Sequence, residues 1–313
     1  MSHIFDALRR SDADSSGKET SEFSVATELL QAAEQKMHSA AVEGLARERF
    51  AGENLGVEIT EPPRQDYLAS LEHCRALPVT IRSDSRLVSV AKEESLGAEK
   101  FRFLAVRLRQ LRQNRPLKKI LITSTIPQEG KSTVATNLAC TLARRKQQRT
   151  LLLDGDLRRP AIAGQLGLRN VPGLSEWFHG DRETPNVYRL ESLGLWLLPA
   201  GRAPENPLEL MQSGKISYLI EMLSTWFDWI IIDSPPLLPL ADTSIWARLA
   251  DGILLVTRKG VTEKQQLERG LEVLDQGKLL GALVNDSSDV AHSDYYQRYS
   301  PPASSPPARQ SKR

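Results

Sequence analysis

Cysteine is scarce in this chain of 313 residues, in which only Cys74 and Cys140 occur. Two cysteines form neither a disulfide framework nor a metal-binding motif, and they fit a reducing compartment. No apolar run approaches the ~20 residues that a membrane-spanning helix needs, and the N-terminus lacks the apolar core of a secretory signal. We therefore expect a cytoplasmic protein, and any role at a membrane must depend on a partner.

The chain also lacks an excess of either charge. Its 41 basic and 39 acidic residues leave a net charge of +2, which favours no particular class of partner, and we expect no nucleic-acid ligand. The first ~85 residues are rich in Ser, Glu and Ala, and the last ones are basic and rich in Pro and Ser, as in segments without a packed core. We predict a mobile extension (1–85), a folded domain (86–290) and a disordered tail (291–313).

Within the predicted domain, short apolar runs alternate with stretches of helical periodicity. This alternation is typical of βαβ units and predicts an α/β fold with a doubly wound, mostly parallel sheet flanked by helices. The expected strands are residues 118–124, 150–153, 195–199, 229–233, 252–256 and 279–284.

Residues 123–133, TSTIPQEGKST, follow the first expected strand and precede a helical pattern. They match the phosphate-binding loop GxxxxGK(S/T), except that Thr125 stands where the first glycine is expected. In such a loop Gly130 lets the backbone approach the phosphates, Lys131 reaches the β and γ oxygens, and Ser132 offers a hydroxyl to Mg²⁺. Because the strand, loop and helix occur in the required order, we interpret this segment as a site for ATP.

Carboxylates end two further strands of the predicted sheet. LLLDGDLRRP contains Asp154 and Asp156, and DWIIIDSPP contains Asp233 after four bulky residues. Ligands of open α/β sheets bind beyond the carboxyl ends of the strands, so these side chains and Lys131 predict a site for a hard cation and phosphate. Carboxylates at strand ends also cap helices, which is the simpler alternative for either segment alone.

Three motifs in this order, STIPQEGKST, LLLDGDLRRP and WIIIDSPP, resemble the Walker A, Walker A′ and Walker B motifs of the bacterial tyrosine kinases that accompany capsular and exopolysaccharide export. Further similarities are LLPAGRAPENPLELMQS, LLGALVN, and the two acids Asp242 and Asp251. The resemblance covers roughly residues 87–299. Members of this family often lack the first glycine of the loop, so Thr125 is compatible with membership.

The resemblance implies a P-loop NTPase fold and a protein-tyrosine autokinase that depends on ATP and Mg²⁺. The nucleotide-binding residues it implies are Gly130, Lys131, Ser132, Thr133 and Asn285. The catalytic residues it implies are Lys131, Asp154, Asp156 and Asp233, and the implied metal ligands are Ser132, Asp156 and Asp233. Which of the two acids of Walker A′ accepts the proton of the substrate hydroxyl stays open.

The segment DYYQRYS near the end of the chain suggests the phosphate acceptors. The resemblance implies that Tyr295, Tyr296 and Tyr299 are phosphorylated in trans within a homo-oligomer, although aromatic residues in a tail also pack on a neighbouring strand. The family motif ExxRxxR at the subunit interface is incomplete here, because Ala105 follows Glu99 and Arg102 at its last position.

The resemblance also implies a membrane activator of the polysaccharide co-polymerase type, a chain-length determinant that would recruit this protein to the inner face of the cell membrane. A partitioning or positioning ATPase related to ParA and MinD is an alternative. Those proteins have a second lysine in the loop, where this chain has Ile126. A nucleotide-binding regulator of polysaccharide export that transfers no phosphate is another.

Overall fold

The computed structural model describes residue 71 and residues 74–180, 184–212, 214–238 and 241–286. Most of the predicted extension and the whole predicted tail lie outside these residues. Within the described ranges, no helix combines the length and the apolar character needed to cross a membrane.

Seven strands form one sheet in the order β3-β4-β2-β5-β1-β6-β7. The strands are β1 (Lys119–Ser124), β2 (Thr150–Asp154), β3 (Tyr188–Leu190), β4 (Leu195–Leu198), β5 (Trp229–Asp233), β6 (Gly252–Arg258) and β7 (Leu279–Asn285). All neighbouring strands are parallel except β3 and β4. The predicted fold class, a doubly wound and mostly parallel sheet, is therefore confirmed, and all six expected strands are present.

Strand β3 was not predicted from the sequence. It has three residues, of which only Arg189 is exposed, and it pairs antiparallel with β4 at one edge of the sheet. So short a segment carries no readable alternation. Residues that precede the predicted domain also bind β3: Leu77 donates its N–H to the Arg189 carbonyl at 2.9 Å, and the Arg189 N–H donates to the carbonyl of Arg75 at 3.0 Å.

Helices cover both faces of the sheet. They are α1 (Val88–Ala91), α2 (Leu96–Asn114), α3 (Lys131–Ala143), α4 (Ile162–Gln165), α5 (Leu174–His179), α6 (Pro207–Gln212), α7 (Lys215–Trp226), α8 (Asp242–Leu249) and α9 (Lys264–Val273). Two short 3₁₀ turns, Glu191–Leu193 and Gln276–Lys278, precede β4 and β7.

Successive residues of the central strands enter different hydrophobic cores, as the pleat of a strand requires. In β5, Ile230 and Ile232 belong to the core formed with α7, α8 and α9, whereas Ile231 belongs to the core formed with α2 and α3. All three are completely buried. Because both faces of the sheet are covered, the acidic side chains of the central strands β2 and β5, Asp154 and Asp233, stand at the strand ends.

Candidate active site

The three motifs of the sequence meet at one edge of the sheet. Strands β2, β5 and β1 are consecutive neighbours, and all three run in the same direction. Asp154 at the end of β2 lies in register with Asp233 at the end of β5, which itself pairs with Ile122 of β1. The sheet topology thus brings both acidic segments next to the loop that follows β1.

The loop between β1 and α3 has the strand, loop, helix order predicted for a phosphate-binding loop. Helix α3 begins at Lys131, and the preceding Gly130 has a φ of +94°. A Cβ atom at that position would displace the side-chain amide of Asn285. The backbone angle, which residues other than glycine rarely adopt, favours glycine at this position.

Lys131 points toward the acids at the ends of β2 and β5. Its Nζ lies 3.0 Å from Oδ2 of Asp156, and its side chain is only 13% exposed. Burial lowers the pKa of Lys131, but the charges of Asp233 and Asp156 outweigh this effect and raise the pKa above its ordinary value. The lysine is therefore a fixed positive charge at the start of α3.

The two acids that follow β2 have different surroundings. Asp154 is completely buried and accepts three backbone N–H groups, from Asp156 at 3.3 Å, Ala161 at 3.2 Å and Ile162 at 3.1 Å. Burial and the charge of Asp233 raise the pKa of Asp154 to about 8. Asp156 uses one oxygen to accept the N–H of Arg159 at 3.0 Å and directs the other at Lys131. Asp154 shapes the loop, and Asp156 faces the charged side chain of the site.

Asp233 is completely buried, yet neither of its carboxylate oxygens has a hydrogen-bond partner of normal geometry. Burial raises its pKa to about 6, against the opposing effects of the Lys131 charge and the nearby Ser132 hydroxyl. A buried carboxylate without partners is costly unless a ligand satisfies it. This carboxylate and Ser132 therefore fit a Mg²⁺ site.

The described residues contain no cluster of three or more His, Cys, Asp or Glu side chains arranged to enclose a metal ion by themselves. This finding is compatible with Mg²⁺, which usually keeps several waters and takes only one or two protein carboxylates together with phosphate oxygens. The oxygen donors of Ser132, Asp156 and Asp233 have the chemistry that such an ion prefers.

Sequence reasoning missed Gly155, between the two acids of the β2 loop. Its N–H donates to the Asp233 carbonyl at 2.8 Å, and its carbonyl accepts the indole N–H of Trp246 at 3.1 Å. A Cβ atom at Gly155 would lie 2.7 Å from the Trp246 ring and 2.8 Å from that Asp233 oxygen. Glycine is therefore needed for the loops after β2 and β5 to contact each other.

An ion pair between Arg158 and Asp242 was also missed, although Asp242 had been noted for its resemblance to the family. Nε and Nη2 of Arg158 lie 2.6 and 3.1 Å from the two Asp242 oxygens. Asp242 is almost completely buried at the start of α8. The pair ties the β2 loop to α8, and its arginine lies only two residues beyond Asp156.

Two further predicted nucleotide-binding residues, Thr133 and Asn285, lie in α3 and at the end of β7. Thr133 lies in the first turn of α3, and its carbonyl accepts the side-chain amide of Asn137 at 2.9 Å. Asn285 ends β7 and donates its side-chain amide to the main-chain carbonyl of Glu129 at 3.0 Å. Asn285 thus contacts the phosphate-binding loop itself.

Other predicted functional residues lie away from this centre or outside the described residues. Asp251 accepts the N–H groups of Lys118 and Lys119, at 2.9 and 2.8 Å, and so caps the opposite end of β1. Arg102 of α2 pairs with Glu99 of its own helix. The predicted phosphoacceptors Tyr295, Tyr296 and Tyr299 lie outside the described residues.

A cavity of about 750 Å³ opens beside Asp154, and none of the residues that line it belongs to the phosphate-binding loop. Its walls include Pro160 of the β2 loop, Glu176 of α5, and Arg202 of the loop after β4. Glu176 joins two of these walls, because it accepts the N–H groups of Gly173 at 2.7 Å and Arg202 at 3.0 Å. A volume of this size is typical of sites for small molecules or side chains.

No protein-family model matches the chain. Individual proteins that are similar to it show its family. Tyrosine-protein kinase YwqD of Bacillus subtilis is 34% identical over 217 residues, which are 68% of this chain and 91% of that protein. Tyrosine-protein kinase CpsD of Streptococcus agalactiae is 32% identical over 218 residues, which are 68% of this chain and 92% of that protein.

A solved structure supports the same assignment. The kinase domain of the Escherichia coli tyrosine kinase ETK superposes with a TM-score of 0.60 at 26% sequence identity, covering 70% of this chain and 85% of that domain. The motifs, the converging strand ends and these similarities agree with one another. The chain belongs to the family of bacterial tyrosine-protein kinases.

Proposed function

We propose that this chain is an ATP- and Mg²⁺-dependent protein-tyrosine autokinase that phosphorylates the C-terminal tyrosines of a second copy and so regulates capsular or exopolysaccharide polymerisation and export. The observation that carries the proposal is the convergence of Lys131, Asp156 and Asp233 at the carboxyl end of the sheet. Family membership supplies the class of reaction.

The residues present fit ATP with Mg²⁺. Gly130, Lys131, Ser132 and Thr133 form the end of the loop and the first turn of α3, where N–H groups and the helix dipole favour phosphate. Ser132, Asp156 and Asp233 would supply oxygen ligands to the metal. When bound, Mg²⁺ neutralises charge on the phosphate oxygens.

Phosphoryl transfer requires little covalent chemistry from the protein beyond positioning and charge. The tyrosine oxygen forms a bond to the γ-phosphorus, the bond to the β–γ bridging oxygen breaks, and the phenolic proton passes to a base. We assign the base to Asp156, because its Oδ2 faces the Lys131 Nζ at 3.0 Å, whereas the buried Asp154 accepts three backbone N–H groups. Asp154 then shapes the loop that presents Asp156.

The proposed acceptors are Tyr295, Tyr296 and Tyr299, three of the six tyrosines of the chain. Asn285, the last residue of β7, lies against the phosphate-binding loop, and Tyr295 follows it by ten residues. An extended segment of that length spans at most roughly 33 to 36 Å.

Recruitment to the inner face of the membrane by an activator of the polysaccharide co-polymerase type is the part of the proposal that rests on the motif resemblance alone. The incomplete ExxRxxR motif of α2 gives little support to a homo-oligomer interface there, because Arg102 pairs with Glu99 of its own helix. We nevertheless propose an oligomer, because transfer in trans needs a second copy.

Phosphotyrosine mapping of the tail tests the proposal directly. The chain is co-expressed with the cytoplasmic segment of its proposed membrane activator, and a Lys131→Met sample is prepared in parallel. We expect phosphate on the tail of the wild-type chain and none on the variant, since no described side chain replaces the lysine beside Asp156. Equal phosphorylation of both samples would contradict the proposal.

Transfer in trans has its own test. A chain with Phe at the three tail positions serves as the enzyme, and the Lys131→Met chain, which keeps its tyrosines, serves as the substrate. Phosphate on the Lys131→Met chain is expected. Its absence, together with normal autophosphorylation of the wild-type chain in dilute solution, would indicate transfer within one copy.

A further inference from the structure

Two side chains hold the phosphate-binding loop from the side of β6 and β7. Glu129 is completely buried; its Oε2 accepts the N–H of Ile126 at 2.9 Å, and its Oε1 accepts the hydroxyl of Thr262. Asn285 donates Nδ2 to the main-chain carbonyl of Glu129 at 3.0 Å. Glu129 was not predicted as a site residue, and the Asn285 amide, predicted to bind nucleotide, is here engaged with the loop itself.

The backbone on either side of Glu129 is in an unusual conformation. Gln128 has a φ of +67°, and Gly130 has a φ of +94°. A left-handed conformation is unfavourable for glutamine and persists only where the surroundings impose it. The two bonds of the Glu129 carboxylate and the bond to its carbonyl are contacts of this kind.

The contact with Asn285 also fixes the direction of a donor. In a trans peptide the carbonyl oxygen and the following N–H point to opposite sides. Because Asn285 holds the Glu129 carbonyl, the N–H of Gly130 is directed away from Asn285. Phosphate-binding loops act through such N–H groups, and a carbonyl turned toward the ligand would repel it. The amide of Asn285 therefore opposes a flip of this peptide.

The residues that hold the loop are themselves tied together. The Thr262 hydroxyl accepts the N–H of Arg258 at 2.9 Å, so its own proton is available to Glu129. Arg258 in turn binds Oδ2 of Asp286 through two nitrogens, at 3.0 and 2.7 Å. The N–H of Lys259 donates to the carbonyl of Asn285 at 3.1 Å. The end of β6 and the end of β7 thus form one support.

We propose that Glu129 and Asn285 are positioning residues that preform the phosphate-binding loop for its triphosphate ligand. This inference rests on the nucleotide site of the proposed function and adds how that site is organised. Asn285 acts through the peptide between Glu129 and Gly130. Its contribution is therefore to the binding of the phosphates and not to that of the base or sugar. A loop ordered in advance binds more tightly because less conformational freedom is lost on binding.

The test compares ATP with inorganic tripolyphosphate, which has the phosphates but no base or sugar. Both are measured by competition against a fluorescent nucleotide on the full chain and on Asn285→Ala and Thr262→Val variants. Removing one hydrogen bond is expected to weaken the binding of both ligands by the same factor, about three- to tenfold. Thr225→Val is the matched control, because that exposed hydroxyl bonds to the Met222 carbonyl of its own helix, α7.

A Glu129→Gln variant separates positioning from simple stability. Glutamine can still accept the N–H of Ile126, so it should retain most of the affinity that Glu129→Ala loses. Hydrogen exchange of the Ile126 amide should accelerate in Glu129→Ala and stay slow in Glu129→Gln. Melting temperatures measured without ligand show whether a loss of affinity merely follows a loss of fold.

Three outcomes would overturn the inference. If the Asn285→Ala variant loses affinity for ATP but not for tripolyphosphate, Asn285 contacts the base or sugar. Wild-type affinities in both Asn285→Ala and Thr262→Val would show that the loop needs no support. Wild-type affinity of Lys131→Met for tripolyphosphate would overturn the proposed nucleotide site and this inference with it.

Discussion

A methyl group added at Gly155 tests whether the loops after β2 and β5 depend on each other. In Gly155→Ala the new Cβ would lie 2.7 Å from Cε2 of Trp246 and 2.8 Å from the carbonyl oxygen of Asp233. Neither atom is the end of a flexible side chain. The substitution therefore has to displace backbone at the point where Asp154 and Asp156 are positioned.

The cost follows from the contacts that would be lost. Overpacking of a filled site costs about 1–3 kcal/mol, and each of the two hydrogen bonds of Gly155 contributes about 0.5–1.5 kcal/mol. We expect the free energy of unfolding to fall by roughly 2–4 kcal/mol, since the bonds would be weakened and not all lost. Phosphate transfer should also fall under conditions in which the variant is folded, because Asp156 follows the shift.

Urea unfolding monitored by tryptophan fluorescence measures this loss. Gly164→Ala is the matched control: it adds the same methyl group in α4, where nothing lies within 4 Å of the new atom. The control should keep wild-type stability or gain up to about 1 kcal/mol from the better helix propensity of alanine. If Gly155→Ala unfolds at the same urea concentration as the control, the contact between the two loops does not limit stability.

Three further predictions concern groups around the site. Arg158→Ala leaves the buried Asp242 without its partner and should lower the free energy of unfolding by about 1–3 kcal/mol. Adding Asp242→Asn to the same chain should recover part of that loss in a double-mutant cycle. Additive losses would show that the pair is not coupled. Glu176 accepts two N–H groups that hold its pKa below the ordinary 4.5 despite the opposing effect of burial, so its contribution is complete above that pH and is lost as the pH falls through the lowered pKa. The stability difference between wild type and Glu176→Gln should shrink in that range in unfolding curves at pH 3 to 7, and a constant difference would argue against the assignment. Burial raises the pKa of Cys140 to about 12, so in a Cys74→Ser background a thiol reagent at pH 8 should react only after unfolding, and rapid labelling of the folded protein would show that α3 opens.

The sequence was sufficient for the main features of the fold and site because they depend on local pattern. Asp154 and Asp233 each follow a run of bulky apolar residues, which marks the end of a buried strand. In a parallel sheet such ends share one edge, so their proximity follows from the fold class alone. The register of β2 with β5 makes them direct neighbours.

The features that were missed depend on contacts between residues far apart in the chain. Arg158 meets Asp242, 84 residues later, and the Glu129 carboxylate meets Thr262, 133 residues later. No spacing or composition in the sequence predicts either of these two contacts. For Gly155, the need for glycine comes from Trp246, whose ring position is fixed by packing of α8 and by no local rule.

Thr125, which stands in place of the first glycine of the loop, shows why one departure from a motif does not decide a function. The residue is completely buried, and its main-chain carbonyl accepts the N–H of Leu238 at 3.1 Å. Its methyl group lies against α9 at Gly270, where an added Cβ would come within 3.2 Å of it. The glycine at position 270 of the facing helix thus leaves room for the threonine side chain, which replaces the first glycine of the loop. The loop and the helix are separated by more than a hundred residues, so the sequence motif shows the departure and only the packing shows how it is accommodated. The residues proposed to bind phosphate, Gly130 and Lys131, lie at the other end of the loop, and the change at Thr125 leaves both in place.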